Sequence, residues 1–135
     1  MLPKQIRKIR ASIITDLYKY DFYQDNSFNY IEEQITNNNI LKYIIKNINL
    51  VDTIIKKNLY NYEINRLNKV DKAIIRLATL ELLEKQNSHK IIINEAIELT
   101  KEYSNLDDSK QYKFNNKILQ LIFEDIQNNE YKIEK

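Results

Sequence analysis

The densest chemistry in the chain is cationic and lies at its front. Residues 1 to 20 hold Lys4, Arg7, Lys8, Arg10 and Lys19 against a single acid, Asp16. Lys4, Arg7 and Lys8 fall at i, i+3 and i+4, which places them on one face of a helix. A row of cations there would neutralise phosphates and release counterions, giving an affinity that is salt-sensitive and largely blind to base sequence. Base preference must then come from single-strand bases stacked on aromatic rings or hydrogen-bonded at their edges. The competing reading is an ordinary solvated face, the usual fate of a charge run. The net charge of +2 for the whole chain conceals this local excess.

Other constellations carry less. Glu95 and Glu98 are three apart on one helix face, but nothing nearby supplies a nucleophile, metal ligands or an oxyanion site. With no cysteine there is no thiolate, disulfide or cysteine–zinc site, and His89, the single histidine, cannot form a metal cluster. With no glycine, the phosphate-cradling loops of P-loop and dinucleotide-binding folds are excluded. The sequence therefore points away from catalysis, cofactors and metals. No apolar run approaches the length of a membrane span and no signal peptide opens the chain, so a cytoplasmic location is expected.

Helical spacing dominates the elements that must position these residues. From Pro3, which suits a first turn, apolar side chains recur at Ile6, Ile9, Ile13, Leu17 and Tyr20, and this helix should end near Tyr23. A short helix capped by Asn29 and Glu32 follows, and Asn37 to Asn39 form a break. Leu41, Ile44, Ile48, Val51 and Ile55 predict one long helix, and a short helix is expected around Tyr62 to Leu67. Val70 to Leu83 is apolar on most sides, the mark of a central buried helix. Arg76 and Glu81 within it need internal partners, such as Glu95 for Arg76. A helix through Ile92, Ala96, Leu99 and Tyr103 comes next, and a last one begins near Asp108. The tail beyond Asn128 is expected to fray. Without glycine, helices should stop on Asn. The predicted fold is all-α, six to seven helices in one domain of residues 1–135, packed as sub-bundles of roughly 1–58 and 59–135.

Four segments, in order, resemble the NusB family of transcription antitermination factors. They are Arg7-Lys8-Ile9-Arg10 with Leu17-Tyr18; Val70 to Ala78 with Glu81-Leu82; Ile93-Asn94-Glu95-Ala96-Ile97-Glu98-Leu99-Thr100-Lys101; and Phe114-Asn115-Asn116-Lys117-Ile118-Leu119. The chain departs from the family pattern at Ser88-His89-Lys90, where a Pro is usual, at Lys117, where a Gly is usual, and in a longer 104–113 segment. The resemblance implies a NusB-like helical fold and a non-enzymatic factor. It would bind boxA-type RNA of nascent ribosomal-RNA transcripts together with the ribosomal protein NusE, within the elongating RNA polymerase complex. It assigns RNA contact to Lys4, Arg7, Lys8, Arg10, Tyr18, Phe114 and Asn116, and contact with the basic NusE partner to Asp71 and Glu63. Helix capping would explain Asp71 equally well. Two alternatives stand beside this: the RNA-binding module of a ribosomal-RNA cytosine methyltransferase, which shares the fold, and a self-associating helical protein whose homodimer masks its RNA face.

Overall fold

The computed structural model describes residues 3–25, 39–60, 62–104 and 109–135, with the side chains of residues 3–5, 25 and 109 outside that description. Helices α1 (Pro3–Asp25), α2 (Asn39–Lys46), α3 (Ile48–Asn58), α4 (Lys69–Glu84), α5 (His89–Tyr103) and α6 (Ser109–Asn128) make up the regular structure, with a 3₁₀ turn at Ile64–Arg66. No strand occurs among the described residues, so the all-α expectation holds. The expected short helix with Asn29 and Glu32 lies outside the described residues.

Helix α4 is the axis of the molecule. Every residue from Asp71 to Leu80 is buried, and α1, α3, α5 and α6 all pack against it. Ile74, Ile75 and Leu80 meet Leu17, Ile54, Ile55, Leu99, Leu119 and Ile122 in one core. Each such side chain contributes about 1.5–3 kcal/mol by leaving water. The start of α4 is set by Asn68, whose Oδ1 accepts from the backbone N–H of Val70 (2.8 Å) and Asp71 (3.3 Å). Ser88 caps α5 in the same way through Ile91 N–H at 3.3 Å. The Ile91–Ile93 run is helical, with Ile92 and Ile93 buried and Ile91 exposed.

Several expectations need correction. Helix α4 stops on Lys85, not on an asparagine: Lys85 takes the left-handed conformation at φ 58°. The Lys85 N–H still donates to Glu81 O at 3.2 Å, and its left-handed conformation costs about 1–2 kcal/mol. The long helix through Leu41 and Ile55 is two helices joined at Asn47. The Asn47 side chain donates to Tyr43 O (3.1 Å) and Glu134 O (2.9 Å) and accepts from Glu134 N–H (2.7 Å). A side-chain amide that engages backbone groups competes with continued helix. That same contact straps the tail down, so residues 129–135 are not frayed. Lys46 Nζ reaches Lys135 O at 2.6 Å, and the Tyr131 hydroxyl donates to Asp125 Oδ1 at 2.8 Å.

The buried face of α1 is also shifted from the apolar stripe. It runs through Arg10, Ile14, Leu17 and Asp21, so it begins and ends on a charge, while Ile9 is exposed. Asp21 accepts from Lys72 (2.8 Å), Lys69 (2.9 Å) and Arg76 (3.5 Å). Arg76 forks onto Asp52 of α3 at 2.9 and 2.7 Å. Arg76 thus has internal ion pairs, but with Asp52 and Asp21; Glu95 faces α1 and is taken by Arg7. Burial alone would raise the Asp21 carboxyl, but hydrogen bonds from Lys72 and Lys69 and the nearby Arg76 charge outweigh it and hold it below the usual range.

A carboxylate whose folded pKa is lowered contributes stability above its unfolded pKa and loses it as pH falls through the folded value. Asp21→Asn should therefore cost about 3–5 kcal/mol at neutral pH by urea denaturation. Its deficit relative to the parent should close as pH drops below about 4. A deficit that stays constant down to about pH 2 would contradict the charged role of Asp21.

Candidate nucleic-acid interface

The front cations divide into three situations. Lys4 sits in the first turn of α1, its side chain outside the described residues. Lys8 faces solvent. Arg7 forks onto Glu95 of α5, Nε to Oε2 and Nη2 to Oε1, both at 3.1 Å, with its side chain 41% exposed. The Glu95 hydrogen bonds and charge, with Glu98 and Glu102 beyond, raise the Arg7 pKa. Arg10 is sealed. Its side chain is 9% exposed, and it grips Glu81 of α4 through Nε (3.0 Å) and Nη2 (2.7 Å). The row of free cations expected on α1 is therefore mostly spent: Arg10 is a strut between helices, and Arg7 already holds a carboxylate.

Tyr18 is not a core residue. It is half-exposed and lines a groove of about 390 Å³ with Ala11, Ser12, Thr15, Val70 and Tyr103. Small side chains on α1 leave room between the two tyrosine rings.

The strongest aromatic feature lies across the start of α4. Phe114 of α6 packs on Tyr62, ring centroids 5.5 Å apart and tilted by 51°. The pair forms a ridge with a cleft on each side. One cleft, about 170 Å³, has Asn58, Leu59, Tyr60 and Lys117 in its walls. The other, about 350 Å³, has Arg66, Asn68, Lys110 and Gln111. Tyr60 is 73% exposed, an aromatic ring offered almost whole to solvent. Asn68 lines the second cleft and Val70 the Tyr18 groove, so both aromatic sites flank the entrance to α4. Rings with open faces beside Lys and Arg are what single-strand binding requires.

Asn116 is exposed but lines neither cleft. Its neighbour Asn115 is the buried one, donating to Asp71 Oδ1 (3.0 Å) and Thr100 Oγ1 (3.1 Å). Asp71 itself is fully buried, so the expectation that it pairs with a partner at the surface is overturned. Its carboxylate turns inward to the junction of α4, α5 and α6, where Oδ1 also accepts from the Ser104 hydroxyl at 2.6 Å. Oδ2 has no hydrogen-bond partner among the described residues. Glu63 is exposed just before the 3₁₀ turn. Tyr60, Tyr62, Arg66, Lys117 and Asn58 escaped the sequence reading. The available signal was Tyr60 and Tyr62 in a polar stretch off any apolar stripe; the short helix expected around Tyr62 to Leu67 is only the 3₁₀ turn Ile64–Arg66, which leaves both rings exposed.

The sequence profile of the NusB family matches residues 7–123. A transcription antitermination protein NusB from Treponema denticola is 35% identical over 115 residues, spanning 84% of this chain and 82% of that protein. The corresponding protein from Buchnera aphidicola subsp. Cinara cedri is 37% identical over 111 residues, spanning 82% and 74%. Among solved structures, NusB of T. maritima superposes with a TM-score of 0.70 at 32% identity, covering 87% of this chain and 89% of that one. No described helix is long and apolar enough to cross a membrane.

The two arginines should respond differently to removal. Arg10→Ala empties the sealed site between α1 and α4 and breaks its pair with Glu81, and should cost about 3–5 kcal/mol in chemical denaturation. Arg7→Ala removes a half-exposed pair and should leave the midpoint nearly unmoved. Equal losses would overturn the assignment of Arg10 as the strut and Arg7 as the accessible cation.

Proposed function

The chain belongs to the NusB family, and from its surface we propose that it is a non-enzymatic antitermination factor binding single-stranded boxA-type RNA of nascent ribosomal-RNA transcripts. It does so together with the NusE ribosomal protein, in the cytoplasm, as part of the elongating RNA polymerase complex. The observation that carries this reading is the Tyr62–Phe114 ridge between two clefts edged by Lys117 and Arg66. Phe114 also falls where the family places an RNA contact.

Bases would stack on the ridge and on Tyr60, a sequence-tolerant interaction, while Lys117, Arg66 and Lys8 neutralise phosphates. Tyr18 and Tyr103 extend the aromatic path along α1. Arg7 can join only by exchanging the Glu95 carboxylate for a phosphate, so its net contribution is smaller than its charge implies. Glu63 is the exposed acid available to the basic partner, Asp71 being sealed. Two weak surfaces on one protein reinforce each other once partner and RNA are joined, because the second contact forms at high effective concentration.

Fluorescence titration of a labelled boxA-type RNA, with and without NusE, at about 50 and about 200 mM salt tests this. NusE should tighten binding. Phe114→Ala and Tyr62→Ala should each weaken it about tenfold to a hundredfold, and Lys117→Ala should reduce the salt slope by about one. Unchanged binding by Phe114→Ala, with no gain from NusE, would sink the reading. A separate expectation follows from the Arg7–Glu95 fork: Glu95→Gln frees Arg7 and should tighten RNA binding and steepen its salt dependence. Weaker binding by that variant would mean the fork orients Arg7 for RNA.

A further inference from the structure

Asn58 sits where α3 ends and the chain turns into Leu59 and Tyr60, one wall of the smaller cleft. It is 7% exposed. Its Nδ2 lies 2.8 Å from Ile54 O and 2.8 Å from Asp125 Oδ2. A backbone carbonyl cannot donate. Neither can an ionised carboxylate, and Asp125 is held in that form. Burial alone would raise its carboxyl, but hydrogen bonds from Asn58, Tyr131 and Lys57 outweigh that and keep it below the usual range. Both neighbours being acceptors, the amide has one orientation: the NH₂ group faces them, and both its hydrogens are used. Oδ1 is left over. Among the described residues nothing donates to it, yet it is not sealed from solvent, and Asn58 lines the cleft.

Asp125 is built to hold that orientation. Besides Asn58, it receives Tyr131 Oη (2.8 Å), Lys57 Nζ (3.1 Å) and Asn129 Nδ2 (2.8 Å). The strapped tail thus reaches the cleft through a single carboxylate.

We propose that Asn58 is a specificity-determining residue of the cleft, its fixed side-chain carbonyl accepting a hydrogen bond from the exocyclic amino group of a nucleobase stacked against Tyr60 and Phe114. This rests on the cleft being the RNA site. Adenine and cytosine carry such a group on the edge they present when unpaired. Uracil has no exocyclic amino group and offers only an imino N–H set between two carbonyls that repel the Asn58 oxygen, a weaker complement. The stack supplies affinity to any base; the amide favours those with an amino group. Asp125 and Tyr131 act through Asn58 as positioning residues.

The test compares short labelled RNA homo-oligomers differing only in that group: adenosine against purine riboside, and cytidine against 2-pyrimidinone riboside. The full chain should bind the amino-bearing oligomers about three- to tenfold more tightly, the worth of one neutral hydrogen bond. Asn58→Ala should erase the preference and leave the salt slope unchanged, since Asn58 is uncharged. Asp125→Asn, which lets the amide turn, should reduce the preference too, and keeps the test available if Asn58→Ala unfolds. A preference that persists in both variants, or is absent in the parent, overturns the proposal. Phe114→Ala separates the two levels. If it weakens all four oligomers while the amino group makes no difference, the cleft binds RNA and only the role of Asn58 fails; if it weakens none, the cleft reading fails and Asn58 with it.

Discussion

A helix buried on nearly all sides must dispose of whatever charge it carries, and α4 carries Asp71, Lys72 and Arg76 into the interior and Glu81 to its edge. Left unpaired, each would cost several kcal/mol. Partners for the last three come from elsewhere in the chain: Asp21 and Arg10 from α1, Asp52 from α3. The signs matter as much as the pairing. Along α1 the cation Arg10 comes first and the anion Asp21 later; on the face of α4 that meets α1 the cations Lys72 and Arg76 come first and Glu81 later, Asp71 facing the other way toward Ser104 and Asn115. Only the antiparallel arrangement puts opposite charges together at both ends. Reversing α1 would bury Arg10 near Lys72 and Asp21 near Glu81, and slipping it by a turn would pull Arg10 away from Glu81. Apolar packing alone is tolerant of such slips, so these pairs set direction and register for the first helix, and through Arg76–Asp52 for the third.

That arrangement decides what is left for the surface. Arg10 is consumed as a strut, and Arg7 is held by Glu95. A front helix that looks like a phosphate-binding strip is therefore, in large part, the joint between α1 and the rest of the molecule. With its cations committed, the chain gains more from rings than from charges. The rings collect where α3 ends, α4 begins and α6 passes, positions fixed by the most thoroughly buried part of the fold. Tyr60 and Tyr62 stand in a non-helical connection, but Phe114 behind them is anchored next to Asn115, which is locked into the Asp71 junction. A stacking surface mounted this way loses little ordering entropy when a base arrives.

What could be read from the sequence follows the range of each interaction. Helical period, the apolar density of Val70 to Leu83 and the absence of Cys and Gly act locally or compositionally, so fold class and the central helix were legible. Caps are local too, though Asn68 had to be recognised three residues before an equally plausible Asp71. Pairings between helices were not legible. That a buried Arg76 needs an internal acid is legible, but Glu95 is only one candidate; its partners come from residues 21 and 52, whose spacing announces nothing. The same limit hid the tail strap, since Asn47 and Glu134 are joined only once the bundle is formed. It hid the cleft as well, because a tyrosine in a polar stretch reads the same whether its ring is stacked, solvated or waiting for a ligand.

A chain without glycine has to make its corners by other means, and here asparagine side chains stand at the joints. Asn47 sits between α2 and α3, Asn58 at the end of α3, Asn68 at the start of α4, and Asn115 where α4, α5 and α6 meet. An amide suits the task because it donates and accepts at once, so it can satisfy the backbone groups that a helix end exposes. Asn47 uses both functions on Glu134. Asn115 donates to Asp71 and Thr100 and accepts from Gln111. Asn68 turns its oxygen to Val70 and Asp71. Asn58 alone of these buried or capping amides spends its donors and keeps its acceptor. The difference has no architectural use, since the corner is already closed by Ile54 and Asp125. An acceptor held at fixed orientation, at the rim of an aromatic cleft, is left with an external donor as its complement. The solution to a folding problem thereby leaves a recognition group at a joint that opens onto an aromatic cleft.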